Sequence, residues 1–129
     1  MGLYARAIED FNKAIDLAPD NYIVYNNLGI VYTKTGIYDK AVDSFCKAIA
    51  IKPDEAEIYF NRGLVYSLQN KFDRALADYN KALELKQDYV IVYRNRGSLY
   101  QKSGRKNLAL ADFQKACELG DDIGCNALR

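Results

Sequence analysis

Glu55 to Asp88 reads EAEIYFNRGLVYSLQNKFDRALADYNKALELKQD, and its landmarks recur 34 residues away on either side. Gly63 has counterparts at Gly29 and Gly97. Tyr59, four residues earlier, matches Tyr25 and Tyr93, and Tyr66, three residues later, matches Tyr32 and Tyr100. Further on, Ala75 repeats as Ala41 and Ala109, Tyr79 as Phe45 and Phe113, and Ala82 as Ala48 and Ala116. The second half of the pattern occurs once more near the start, as Ala7, Phe11, Ala14 and Pro19, with Pro53 one period after Pro19. So many positions on one period define an internal repeat. A unit of this length buries its apolar face only by stacking on its neighbours.

Each unit reads as two helices. From Asn21 to Thr35, the residues Tyr22, Tyr25, Leu28, Gly29 and Tyr32 fall at the three- and four-residue spacings of one helix face. Gly36 offers a stop. A second helix, from about Tyr38 to Ile51, carries Ala41, Val42, Phe45, Ala48 and Ile49 on one face. Pro53, which lacks a backbone N–H, ends it. The same reasoning pairs Glu55–Gln69 with Phe72–Leu85, and Tyr89–Ser103 with Asn107–Leu119. Gly29, Gly63 and Gly97 each cost roughly 1 kcal/mol of helix propensity relative to alanine. That cost is explained if the two helices of a pair approach closely there, with Ala41, Ala75 and Ala109 expected as the facing small groups.

This order of aromatic, Gly, aromatic, Ala, aromatic, Ala and Pro on a 34-residue period resembles the tetratricopeptide repeats. The resemblance spans essentially the whole chain as one domain. It comprises a half repeat at 2–20, repeats at 21–54, 55–88 and 89–122, and a short capping segment at 123–129. Tyr stands throughout where the family favours a large aromatic before the glycine, and Gln87 and Asp121 replace the linker proline. The resemblance implies an all-α, right-handed superhelix (a solenoid) of stacked antiparallel helix pairs that binds proteins rather than catalysing a reaction.

The two ends carry their own expectations. Gly2 lies one period before Gly36, so the chain starts at the turn inside a repeat. The helix Tyr4–Leu17 is then expected to leave part of a face (Tyr4, Ile8, Phe11, Ile15) without its usual partner. Either a longer array or a second copy of the chain, in a homodimer through Tyr4–Leu17, is expected to cover it. At the other end, Gly120-Asp121-Asp122 offers a stop and an N-cap, and Ile123–Leu128 reads as one short capping helix. Cys117 and Cys125 both turn towards that joint, where they read as small buried apolar groups.

One charge pattern points to internal pairs. The residue before the glycine is Leu28 in the first full repeat but Arg62 and Arg96 in the next two. Fifteen residues after the glycine stand Ser44, Asp78 and Asp112. Charge occurs on both sides or neither, which predicts partly buried Arg62–Asp78 and Arg96–Asp112 pairs between the helices of a repeat.

Function follows from the resemblance, in which first helices of successive repeats line a concave groove that holds ligands. The groove positions are Asn27, Asn61 and Asn95 two before the glycine, and Asn26, Phe60 and Arg94 three before it. Ile23, Glu57 and Ile91 stand six before it, and Ile30, Leu64 and Ser98 one after, with Lys34, Leu68 and Lys102 further along. An amide both donates and accepts, so the three asparagines suit a peptide backbone of any sequence. Packed helices lie about 8–10 Å apart and an extended peptide rises about 3.3 Å per residue, so one asparagine meets roughly every third residue. This resembles the asparagine ladder in the repeats of the protein O-GlcNAc transferases; bonds to neighbouring helices or to water are the alternative use of the same amides. The family's chaperone-tail clamp needs two Lys, two Asn and one Arg, where this chain has Asn26, Ile30, Asn61, Ile91 and Asn95. Only Asn61 matches, so the chaperones' acidic C-termini are not the expected ligand.

Composition narrows the alternatives. With 18 Lys+Arg against 17 Asp+Glu, spread along the chain, there is no basic surplus for phosphate backbones, and nucleic acid is not an expected partner. No apolar run nears the about 20 residues of a bilayer span, nor does the start resemble a signal peptide. An odd number of cysteines, Cys46, Cys117 and Cys125, suggests reduced thiols and a cytoplasmic setting. The chain has no histidine, which removes Ser-His and Cys-His pairs, and it has neither a four-ligand zinc pattern nor a phosphate loop. No catalytic residue, metal or cofactor is expected.

Overall fold

In the computed structural model, which describes residues 2–129, eight helices follow one another: α1 (Gly2–Leu17), α2 (Tyr22–Lys34), α3 (Tyr38–Ile51), α4 (Ala56–Leu68), α5 (Phe72–Leu85), α6 (Val90–Lys102), α7 (Lys106–Glu118) and α8 (Asp122–Ala127). The described residues contain no strand, and none of their helices is long and apolar enough to cross a membrane. The closest pairings are α2 with α3, α4 with α5 and α6 with α7, and each pair then stacks on the next to build a solenoid.

The turn inside each pair is set by backbone bonds. Ile37, Lys71 and Arg105 donate their N–H groups to the carbonyls of Tyr32, Tyr66 and Tyr100, at 2.9, 2.8 and 2.8 Å. The residue between must be left-handed, as in a Schellman stop. Gly36 and Gly104 take φ of 78° and 79°, and Asn70 takes the same slot at φ 60°. Asparagine is the non-glycine residue that tolerates it best.

Packing inside a pair differs from the expectation at the glycines. A Cβ on Gly29 would lie 2.5 Å from Cε1 of Phe45; on Gly63, 2.8 Å from Cε1 of Tyr79; on Gly97, 2.9 Å from Cε1 of Phe113. The aromatic of the second helix therefore packs directly against the bare backbone of the first, and alanine is not its partner. Ala41, Ala75 and Ala109 are fully buried elsewhere in the same interfaces. Two of the tyrosines four residues before the glycine gain a polar anchor as well. Tyr59 Oη donates to the carbonyl of Pro53 at 2.8 Å and Tyr93 Oη to that of Gln87 at 2.7 Å, tying α4 and α6 to the linkers before them.

The C-terminal end corrects the sequence reading, and the N-terminal end does not. Ile8, Phe11 and Ile15 of α1 pack against the core around Leu28, Phe45 and Ile58 and are half-buried, while Tyr4 is exposed and no residue of α1 is fully buried, so part of the face expected to be open is open. Leu3 and Leu17 are exposed on this helix as well. Cys117 and Cys125 are not reduced thiols but form a disulfide between α7 and α8, leaving Cys46 free. The turn at Gly120 (φ 99°) folds α8 back on α7 and brings their Cα atoms to 4.5 Å. An odd cysteine count says nothing about such a local loop.

Candidate peptide-binding face

The Arg–Asp pairs are present as predicted. Arg62 grips Asp78 with two parallel bonds, Nε to Oδ2 at 2.9 Å and Nη2 to Oδ1 at 2.8 Å. Arg96 grips Asp112 in the same way, at 2.8 and 2.7 Å. Each guanidinium also lies between two tyrosines of its own helix, Tyr59 and Tyr66 at 5.8 Å, or Tyr93 and Tyr100 at 5.7 Å. Nη1 of each reaches the preceding second helix, Cys46 Sγ for Arg62 and Asn80 Oδ1 for Arg96. The aspartates are buried, and these bonds raise both guanidinium pKa values above the ordinary arginine value. One fork so joins both helices of a pair to the pair before it.

On the opposite side the first helices α2, α4 and α6 lie side by side. Asn61 Nδ2 donates to Asn26 Oδ1 at 3.0 Å and links α4 to α2. Asn95 Nδ2 donates to the carbonyl of Ile91 in its own helix at 2.8 Å. Asn27 is half-buried and has no side-chain bond among the described residues. Asn61 and Asn95 each spend one N–H in this way and retain the second N–H and Oδ1. Asn26 is itself buried and belongs to the joint between α2 and α4.

The remaining predicted positions separate into two groups. Phe60 is in the core, its ring 6.0 Å from that of Tyr79 and 5.6 Å from that of Tyr89, so it offers no open wall. Ile30 is half-buried against the first core. Arg94 is drawn to Asp121, with Nε 3.2 Å from Oδ2, so its charge is offset by a residue the spacing rules did not connect to it. Asp121 also caps α8 by accepting from the Gly124 N–H at 2.9 Å. Ile23, Lys34 and Lys102 are exposed.

Leu64, Asn95 and Lys102 come together with Leu68 and Ser98 in a cleft of about 240 Å³ between α4 and α6. Thr33 of α2 and Ser67 extend it, and Tyr79 lies at its base. Burial raises the Tyr79 phenol well above the ordinary tyrosine value, so it stays neutral. Thr33 and Ser67 fall between the groove positions that spacing assigns one and five residues after the glycine. The same four-residue step from Gly29 and Gly63 finds both.

Models of the tetratricopeptide repeat match residues 56–89 and 92–119, and a further repeat model of the same kind matches 1–36 and 31–70. No curated protein sequence matches the chain significantly. Among solved structures, one of MamA superposes with a TM-score of 0.87 at 21% identity, over 99% of this chain and 81% of that one. MamA from residue 41 to its end, from Desulfovibrio magneticus RS-1, gives 0.85 at 24% identity, over 92% of this chain and 67% of its own. The first TPR of Spaghetti (RPAP3), bound to the HSP90 peptide SRMEEVD, gives 0.79 at 29% identity, over 84% of this chain and 87% of that one. The two MamA likenesses speak for the fold alone. Repeat models cover nearly all of the sequence and the helix pairs stack as such repeats do, so the chain belongs to the tetratricopeptide repeat family of protein-interaction modules.

Proposed function

We propose that the chain holds an extended segment of a partner protein along the face made by α2, α4 and α6, without catalysis. The cleft between α4 and α6 is the observation that supports this reading most strongly. Leu64 and exposed Leu68 form an apolar wall, while Asn95, Ser98 and Lys102 stand opposite with a free amide oxygen, a hydroxyl and an ammonium. Such a cleft takes one apolar side chain of the ligand, an N–H of its backbone at Asn95 Oδ1 and a neighbouring carboxylate at Lys102. Exposed Ile23 and Ile91 extend apolar contact on α2 and α6. The likeness to a repeat domain that is bound to a peptide lends support to the mode of binding, not to the identity of the ligand. The clamp residues for an acidic tail are absent here apart from Asn61, so the ligand is anchored by hydrophobic contact with one acidic neighbour.

Selection from a displayed library of random peptides tests this. Peptides retained by the wild-type chain should share an apolar residue beside Asp or Glu. They should bind Leu68→Ala/Lys102→Glu at least about tenfold more weakly, since burying one leucine is worth roughly 1.5–3 kcal/mol and tenfold is about 1.4 kcal/mol. Leu68 and Lys102 are exposed, so the variant keeps its fold. Equal binding by the variant, or no selected peptide, would contradict the proposal.

A further inference from the structure

The repeat makes the molecule its own control. At two of its three equivalent positions, the space between successive second helices is filled by a guanidinium: Arg62 between α3 and α5, and Arg96 between α5 and α7. At the third position, between α1 and α3, Leu28 stands in place of the arginine. What remains there is a cleft of about 230 Å³. Its lining repeats part of the environment of the other two guanidinium groups. Tyr25 and Tyr32 correspond to the tyrosines that flank Arg62 and Arg96, and Asn12 corresponds to Asn80, whose Oδ1 accepts from Arg96 at 2.8 Å.

The acid is present too, displaced by one residue. Ser44 replaces the aspartate, but Asp43 stands beside it where the other repeats have Ala77 and Ala111. Asp43 lines the cleft and is paired with no cation of the chain among the described residues. Lys40 and Lys47, which also line it, do not forbid a further positive charge. They occupy the positions of Arg74 and Lys81 in the next repeat, where Arg74 shares the Tyr66 ring with Arg62; Lys81 is offset there by Glu84, whereas Lys47 lies 5.9 Å from the centre of the Tyr25 ring. Lys40 lies 5.8 Å from the centre of the Tyr32 ring, as Arg74 does from that of Tyr66. Leu28 is buried and fills only the space of an arginine stem.

We propose that this cleft, on the side opposite the α2–α4–α6 face, binds the guanidinium of an arginine side chain presented by a partner protein. The planar group stacks between the two tyrosines, donates to Asp43 and Asn12, and completes from outside the fork that the other two repeats supply from within. The site is independent of the peptide-binding proposal and shares no residue with it.

The test is titration of the full, isotope-labelled chain with N-acetyl-arginine amide, followed by backbone amide shifts. Saturable shifts are expected around Asn12, Tyr25, Leu28, Tyr32 and Asp43, with none of that size from the neutral citrulline analogue and smaller ones from the lysine analogue. Asp43→Asn, an exposed change that leaves the helices intact, should weaken binding at least tenfold. Leu28→Arg/Ser44→Asp, which recreates the neighbouring pair, should abolish it by filling the site; if that variant does not fold, Asp43→Asn decides alone. Absence of saturable shifts, equal response to citrulline or lysine, or an unchanged affinity in Asp43→Asn would each overturn the proposal.

Discussion

At the scale of single residues, the Arg62–Asp78 fork shows why charge is found on both sides of a helix pair or on neither. Asp78 has a side chain only 6% exposed, so removing its arginine strands a carboxylate that water hardly reaches. Arg62→Leu alone should cost roughly 2–3 kcal/mol, below the range for fully buried pairs because Arg62 keeps some access to solvent. Arg62→Leu/Asp78→Ser copies the Leu28 and Ser44 combination of the first repeat and should recover most of that loss. Urea denaturation of both single variants and the double variant measures the coupling; additive losses would show that the two groups act separately. This pair was legible in the sequence because two positions varied together on a known period. The partner of each glycine was not. Spacing gives the face a residue occupies but not how far an aromatic side chain reaches along it, and Phe45, Tyr79 and Phe113 reach the glycine backbone that the alanines were expected to meet.

At the scale of elements, nearly every helix could be read in advance to within a residue or two, because glycine, proline and the apolar period all agree within a repeat. The exceptions gather where the repeat is irregular. Asn70 takes a turn position held by glycine in the units on either side, and Asp121, in place of a linker proline, caps α8 and pairs with Arg94. At six residues α8 is too short to persist alone, so its order depends on that cap, on Gly124 against Ala116 and on the disulfide. Cys117→Ser/Cys125→Ser should cost on the order of 2 kcal/mol from the short loop it opens. Amide exchange should then accelerate at Cys125, whose N–H is bonded to the Asp121 carbonyl at 3.0 Å, while α2 to α5 stay protected. Unchanged exchange at Cys125 would show that packing alone holds the helix.

At the scale of the whole molecule, two faces carry different chemistry. The second-helix side is stapled by guanidinium forks at two junctions and has an open cleft at the third, while the first-helix side carries amides, exposed leucine and isoleucine, and lysines. Of the groove positions read by spacing, Asn95, Leu64 and Lys102 line one cleft. Spacing did not reveal that Phe60 turns inward against Tyr89 or that Arg94 is tied to Asp121, since each depends on a contact between repeats rather than within one; the Asn61–Asn26 bond is the neighbouring-helix use of these amides that the sequence left open. The most direct measurement is an amide chemical-shift map of the labelled chain with a library-selected peptide bound. Shifts concentrated on α2, α4 and α6, and largest around Leu64, Leu68, Asn95, Ser98 and Lys102, are the expected result. Shifts concentrated on α3, α5 and α7, with the cleft residues unmoved, would contradict a binding site on the first helices.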